Sequence, residues 1–290
     1  MYNRAMKIPK RILPLVENGL VDEVLRALMS GKEADVFVVR CGSEIRCAKI
    51  YKAPEKRAFK QAVTYQEGRK VRNSRRGRAM SKGSKFGREQ QEEVWQTAEV
   101  DALYKLADIG VRVPKPYGCF DGVLLMELIT YGDGDVAPRL NDVSMTQEQA
   151  LADHETLMHD IMRMLCAGLV HGDLSPFNVL VDDHGPVIID LPQAVDAAAN
   201  NNAQSMHQRD VENITHYYAQ YAPSLSHTRY APEMWALFEA GDLHPGTQLT
   251  GLFEEDTESA DVDTVLEEIK QAFMEEQNRL ERIREANSVD

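Results

Sequence analysis

The stretch from His171 to Asp190 constrains this chain more than any other. His171-Gly172-Asp173-Leu174-Ser175-Pro176-Phe177-Asn178 leads into Val179-Leu180-Val181-Asp182, and Ile188-Ile189-Asp190 closes the run. Two apolar segments flank a polar turn at Asp182-Asp183-His184-Gly185-Pro186, a pattern that predicts a β-hairpin. Folding it brings Asn178 and Asp190 to the same end, with Asp173 five residues before the asparagine. A carboxylate that can take or orient a proton then stands beside two oxygen donors for a divalent cation. Phosphoryl transfer needs those three side chains.

With 290 residues the chain can bury a sizeable core as one large domain or two lobes. No apolar run approaches a membrane span, and no secretory segment follows Met1-Tyr2-Asn3-Arg4-Ala5-Met6-Lys7, so a cytoplasmic protein is expected. Cys41, Cys47, Cys119 and Cys166 are scattered without a CxxC pair and read as reduced, mostly packed thiols rather than zinc ligands. The net charge of −13 hides an asymmetry. Arg69 to Arg88 holds nine basic residues and no acid, whereas Glu254 to Asp290 holds thirteen acids against four basic residues.

Strands are predicted over Val21–Leu28, Asp35–Arg40 and Glu44–Tyr51, followed by a polar, basic region from Ala53 to Arg88. A helix over Glu89–Leu106 carries Val94, Ala98, Leu103 and Leu106 as a buried stripe. Strands over Tyr117–Phe120 and Val123–Glu127 join through Asp121-Gly122. Met126 to Thr130 reads as a connector between lobes, with Glu127 and Ile129 as nucleotide-contacting positions. Thr146-Gln147-Glu148-Gln149 forms a capping box for a helix reaching Leu165, with Leu151, Leu157, Met158, Ile161, Met162 and Leu165 on its apolar face. Helices follow near Arg209–Tyr221, Pro232–Glu239 and Asp261–Ile283. Strands first and helices later give an α+β protein. Its expected divisions are 1–127, 128–250 and an acidic tail over 251–290, with residues 69–88 as a mobile basic loop.

Three further groups bear on chemistry. Lys49, alone in the apolar run Cys47-Ala48-Lys49-Ile50, is costly to bury without a partner, and Glu99 on the following helix can supply one. Such a pair positions the α- and β-phosphates in kinases. Ser30-Gly31-Lys32 lies between the first two strands, where backbone N–H groups and the Ser30 hydroxyl could contact phosphate, although it is neither a G-x-G-x-x-G nor a Walker motif. Ser175 stands where protein kinases carry a lysine two residues after the aspartate, leaving transition-state charge to metal, Lys49 and backbone dipoles. His171 is read as a brace for the loop. Ala231-Pro232-Glu233 looks like the signature that closes a kinase activation segment, but it lies 41 residues after Asp190 and is read as a helix start.

Taken together, these residues resemble the RIO family of atypical serine kinases. The matching elements are Ser-Gly-Lys-Glu-Ala-Asp-Val-Phe (30–37), Ala-Lys-Ile-Tyr-Lys (48–52), Ala-Pro-Arg-Leu (137–140), the loop at 171–178 and Ile-Asp-Leu-Pro-Gln-Ala-Val (189–195), spread over roughly residues 12 to 220. Small-molecule phosphotransferases share the His-Gly-Asp loop but not the first, third and fifth elements. The resemblance implies a bilobal protein-kinase-like fold whose C-lobe is reduced and lacks the conventional activation segment. It implies ATP with Mg²⁺ or Mn²⁺, autophosphorylation on serine and, in some members, an aspartyl-phosphate at the position of Asp190. The polar region before the helix matches the family's flexible loop, in which Ser74, Ser81 and Ser84 are candidate acceptors. No winged helix fits before residue 20, which points to the subgroup without one, whereas Pro192-Gln193 is closer to the winged-helix subgroup. An alternative reading is an ATPase that times ribonucleoprotein or ribosome assembly, with Arg69–Arg88 as an RNA-contacting arm. Small-molecule phosphotransfer is a third.

Overall fold

The computed structural model describes residues 8–31, 34–52 and 99–254. Those up to Leu252 belong to one compact unit. The predicted helix over Asp261–Ile283, the basic run from Arg69 to Arg88, the serines within it and Lys32 lie outside the described residues.

A short helix, α1 (Leu13–Glu17), precedes three strands, β1 (Glu23–Ser30), β2 (Ala34–Cys41) and β3 (Glu44–Tyr51). Helix α2 is described over 99–108 and is followed by β4 (Pro116–Phe120) and β5 (Val123–Glu127). The five strands form one antiparallel sheet in the order β1-β2-β3-β5-β4. Both residues of the β4–β5 turn have positive φ, Asp121 at 48° and Gly122 at 74°, as a primed hairpin turn requires. The period of two along the strands sorts the core. Ala48, Ile50, Val123 and Leu125 pack with Ile12, Leu15 and Val21 on the α1 side. Tyr51 and Leu124 pack instead with Ala102, Leu103 and Leu106 of α2. Lys49 shares the parity of Tyr51, so the strand delivers its ammonium to the α2 face.

β1 runs two residues later than expected. Register shifts between Val24 and Arg26 and between Ala27 and Met29 break its alternation, so periodicity could not locate its ends. Ser30 is consequently the last strand residue, paired with Asp35, rather than part of a loop.

The other half of the unit is mainly helical. After two small strands, β6 (Thr130–Tyr131) and β7 (Asp135–Val136), come α3 (Gln147–Cys166), β8 (Leu169–Val170), β9 (Val179–Asp182), β10 (Gly185–Ile188), β11 (Val195–Asp196), α4 (Ala203–Ala219) and α5 (Tyr230–Ala240). Thr146 caps α3 by accepting the Gln149 N–H at 3.2 Å. The box is half complete, because the Gln149 amide donates to Asp153 at 2.7 Å instead of reaching back. Leu151 is exposed, not buried: the inner face runs through Ala150, Asp153, His154, Leu157, Met158 and Ile161, and Leu151 lies one step off it. α4 begins six residues before its expected start, since Ala203, Met206 and His207 extend its buried face toward the N-terminus. All four cysteines are free, and of these only Cys47 is buried while Cys119 is exposed. Among the described residues no helix is long and apolar enough to cross a membrane.

Candidate active site

Three parts of the chain meet at the expected position: β3 with α2, the loop 171–178, and the end of the β9–β10 hairpin. Lys49 Nζ lies 2.6 Å from Glu99 Oε1 and 2.9 Å from Asp190 Oδ1. The Tyr51 hydroxyl donates to Glu99 Oε2 at 2.5 Å, so both glutamate oxygens are engaged from one strand. Burial alone would lower the Lys49 pKa; the two carboxylates overcome it and hold the ammonium above its ordinary value. At Asp190, burial works upward and Lys49 downward. The ammonium wins, keeping the carboxyl below its usual range and therefore anionic.

The hairpin explains how Asp190 and Asn178 come together. Asp182 pairs with Gly185 around a two-residue turn, with Val179 opposite Ile188. One more bond, from Ile189 N to Asn178 O at 3.0 Å, carries the ladder to the end of the loop and leaves Asp190 just past it. Asp190 itself has φ 65°, a left-handed conformation that costs a non-glycine residue about 1 kcal/mol and that Asp tolerates better than most. Asn178 Nδ2 donates to Asp173 O at 2.8 Å, which ties the loop to the hairpin. Among the described residues no hydrogen bond engages Asn178 Oδ1, and no cluster of three or more His, Cys, Asp or Glu side chains is gathered for a metal. An amide oxygen and an anionic carboxylate, both hard donors, fit a magnesium-like cation that completes its shell with phosphate and water.

The loop backbone is held from two sides. His171 Nε2 lies 3.0 Å from Ile189 O, and Nδ1 accepts the Asp173 N–H at 3.3 Å. A carbonyl can only accept, so Nε2 is the nitrogen that donates to Ile189 O. From α4, Asp210 accepts the N–H groups of Gly172 (2.7 Å) and Leu174 (2.9 Å), Arg209 donates to Gly172 O, and Asn213 donates to Leu174 O at 3.0 Å. Gly172 turns the chain here at φ 82°. Asp210 is buried, which pushes its carboxyl up to about 6 despite those donors. Asp173 is exposed at the mouth, and the Gln193 amide donates to its Oδ2 at 3.3 Å. Partial burial raises the Asp173 pKa, His171 and Arg209 oppose the rise, and the Asp190 charge adds to it.

The remaining expected residues are placed as follows. Ser30 Oγ donates to Asp35 at 2.6 Å, and Gly31 N donates to Ala34 O at 2.9 Å. Lys52 joins both Gly31 O (2.6 Å) and Asp35 (3.0 Å), so this tip is closed upon itself. The Glu127 carboxylate is taken by Arg112 in a bidentate pair of 3.0 and 3.1 Å and by the Lys115 N–H, and its own N–H donates to Lys115 O at 2.8 Å. Ile129 is buried with Ala137 and Val187, and its carbonyl accepts the Ala137 N–H. Glu233 does more than start α5: its carboxylate accepts the N–H groups of Thr250 and Gly251 and so fastens the chain after the helix.

Residues not anticipated from sequence include Asp210, Arg209, Asn213, Gln193 and Arg112. Arg112 also reaches Asp182 at 2.8 Å, linking the end of β5 to the β9–β10 hairpin.

Comparison with known proteins places the chain in a family. The RIO domain model matches residues 35–231. The RIO-type serine/threonine-protein kinase Rio1 of Haloferax volcanii is 32% identical over 208 residues, covering 71% of this chain and 67% of the relative. The corresponding protein of Methanocaldococcus jannaschii is 31% identical with the same coverage. Serine/threonine-protein kinase RIO1 of Caenorhabditis elegans is 30% identical over 71% of this chain but only 39% of its own length, so the chain spans about two fifths of that relative. In fold, the crystal structure of the Chaetomium thermophilum Rio2 kinase–ADP/Mg²⁺–phosphoaspartate complex matches with a TM-score of 0.50 at 21% identity, over 74% of this chain and 65% of that one. The RIO domain match across 35–231 and the archaeal Rio1 relatives make this chain a member of the RIO family of serine/threonine protein kinases.

Proposed function

We propose that the chain transfers the γ-phosphoryl group of ATP to a serine hydroxyl, on itself or on another protein. The observation that carries this reading is Lys49 held between Glu99 and Asp190, with Asn178 and the Asp173 loop at the same hairpin end. In this reading Glu99 fixes the ammonium, which donates to the α- and β-phosphate oxygens. Asp173 accepts the proton of the attacking hydroxyl, and its raised pKa brings it nearer the value suited to a base at neutral pH. Asn178 Oδ1 and the Asp190 carboxylate would hold Mg²⁺ or Mn²⁺. The bound cation neutralises charge on the phosphate oxygens. The connector at Glu127 and Ile129 receives the base through backbone atoms, and Ser30 and Gly31 form a closed roof. The Rio2 kinase complex, with ADP, Mg²⁺ and a phosphoaspartate, supports nucleotide and metal here and makes Asp190 a second acceptor to examine.

The test is incubation with γ-labelled ATP and Mg²⁺, followed by phosphosite mapping. Wild type should acquire label on serine, and Asp173→Ala and Lys49→Ala should each lose most of it. Labelling that survives both substitutions overturns the site assignment.

A further inference from the structure

Among the described residues, Arg139 carries a charge that acts on this site and that the mechanism above leaves unused. Its backbone is pinned. Val181 N donates to Pro138 O at 2.9 Å, Asp142 N donates to Arg139 O at 2.9 Å, and Arg139 bridges to Leu180, two residues past Asn178. From there the side chain reaches across to the sheet, where its Nη2 lies 2.9 Å from the sulfur of Met29. Met29 stands one residue before Ser30, at the roof of the cleft. The guanidinium charge is also felt at Asp190, whose carboxyl it helps to lower. Arg139 therefore joins the strand beside Asn178 to the end of β1, with its guanidinium at Met29.

Its side chain is not committed to an ion pair. Among the described residues its side chain has a thioether for a partner and no carboxylate within ion-pair distance. A thioether is a weak acceptor, and a guanidinium carries five donors in a planar fork suited to phosphate. The loop, meanwhile, carries Ser175 two residues after Asp173, the position at which protein kinases carry lysine.

We infer that Arg139 is the cation for the transferring phosphoryl group, its guanidinium leaving Met29 to donate to γ-phosphate oxygens. In that step the acceptor Oγ forms a bond to Pγ while the bond from Pγ to the β-phosphate bridging oxygen breaks. The electron pair leaves with ADP, and the hydroxyl proton passes to Asp173. Arg139 stays protonated throughout and matches the charge on the equatorial oxygens, as an arginine supplied in cis does in other phosphoryl-transfer enzymes.

The inference rests on the kinase reading, and the experiment separates the two. The 290-residue wild type, Arg139→Met and Arg139→Lys are compared for Mg²⁺-ATP and Mg²⁺-ADP affinity and for single-turnover labelling at saturating ATP, with thermal melts alongside. Arg139→Met should label about 10²–10³-fold more slowly, as when one donor to a transition-state oxyanion is removed. Its ATP affinity should fall while ADP affinity and the melt hold, and Arg139→Lys should recover part of the rate. Unchanged labelling in Arg139→Met, or an equal loss of ADP and ATP affinity, overturns the inference while leaving the kinase reading intact. Wild type that neither binds nor transfers from ATP overturns both.

Discussion

Lys49 and Glu99 form a 2.6 Å ion pair in which the lysine side chain is 11% exposed and the glutamate 3%. Removing one member leaves the other uncompensated, which in buried pairs costs about 3–5 kcal/mol; replacing both with apolar residues is often neutral. Lys49→Met should therefore lower stability by several kcal/mol and abolish labelling. Lys49→Met combined with Glu99→Leu should regain part of the stability, less the cost of the Tyr51 hydroxyl left without its acceptor, and none of the activity. Urea midpoints and γ-phosphate labelling measure the two separately. A double variant as unstable as the sum of the singles would count against a buried ion pair.

Asp173 must be deprotonated to take the hydroxyl proton, so activity is lost as pH falls through its folded pKa. Because burial raises that pKa, the acid limb of the kcat/KM profile should lie above the ordinary carboxylate range. Arg209 opposes the rise, so Arg209→Met should move the limb to still higher pH. Asp173→Asn should lose about 10²–10⁴ in rate, the usual worth of a positioned base. A limb that stays put in Arg209→Met would show that another group sets it.

The parts of this site legible in the sequence are those in which one element fixes the spacing. The β9–β10 hairpin places Asn178 and Asp190 through ladder pairs that follow from alternation and a two-residue turn. Lys49 was visible as a lone charge in an apolar strand. Asp210 was not, because its partners are backbone N–H groups 36 and 38 residues earlier and carry no side-chain pattern. Arg112 was hidden likewise, its carboxylate partners lying 15 and 70 residues away. Ser30 was misplaced because bulges in β1 break the period of two on which strand reading depends.

The Asp210 bonds make a prediction about rate rather than affinity. As a carboxylate, Asp210 accepts both loop N–H groups; an amide in its place would turn an NH₂ toward one of them. Asp210→Asn should cost about 1–3 kcal/mol of stability, the penalty of one buried donor left unsatisfied. It should lower kcat more than it raises KM for ATP, because the loop carrying Asp173 loosens while Lys49 and the sheet are untouched. Equal changes in both parameters would mean that the loop geometry does not depend on Asp210.

The same aspartate and two buried histidines give the fold a pH dependence whose sign can be worked out. Burial lowers His154 and His207 to about 4, so between pH 6.5 and 4 the unfolded chain binds two protons that the native chain refuses. Stability from these groups is present above 6.5 and is lost as pH falls through that window. Asp210 acts in the opposite direction. At about 6 in the fold, it holds a proton there that the unfolded aspartate releases down to the ordinary carboxylate range. It therefore cancels about one proton of the slope between pH 6 and 4. His207→Phe should make the fall of stability over pH 6 to 4 shallower by about 1.4 kcal/mol per pH unit, one proton's worth. Asp210→Asn should make it steeper by the same amount, although it starts from a less stable protein. Urea unfolding of the three proteins at several pH values reads both slopes, and parallel curves would show that neither group changes its protonation on folding.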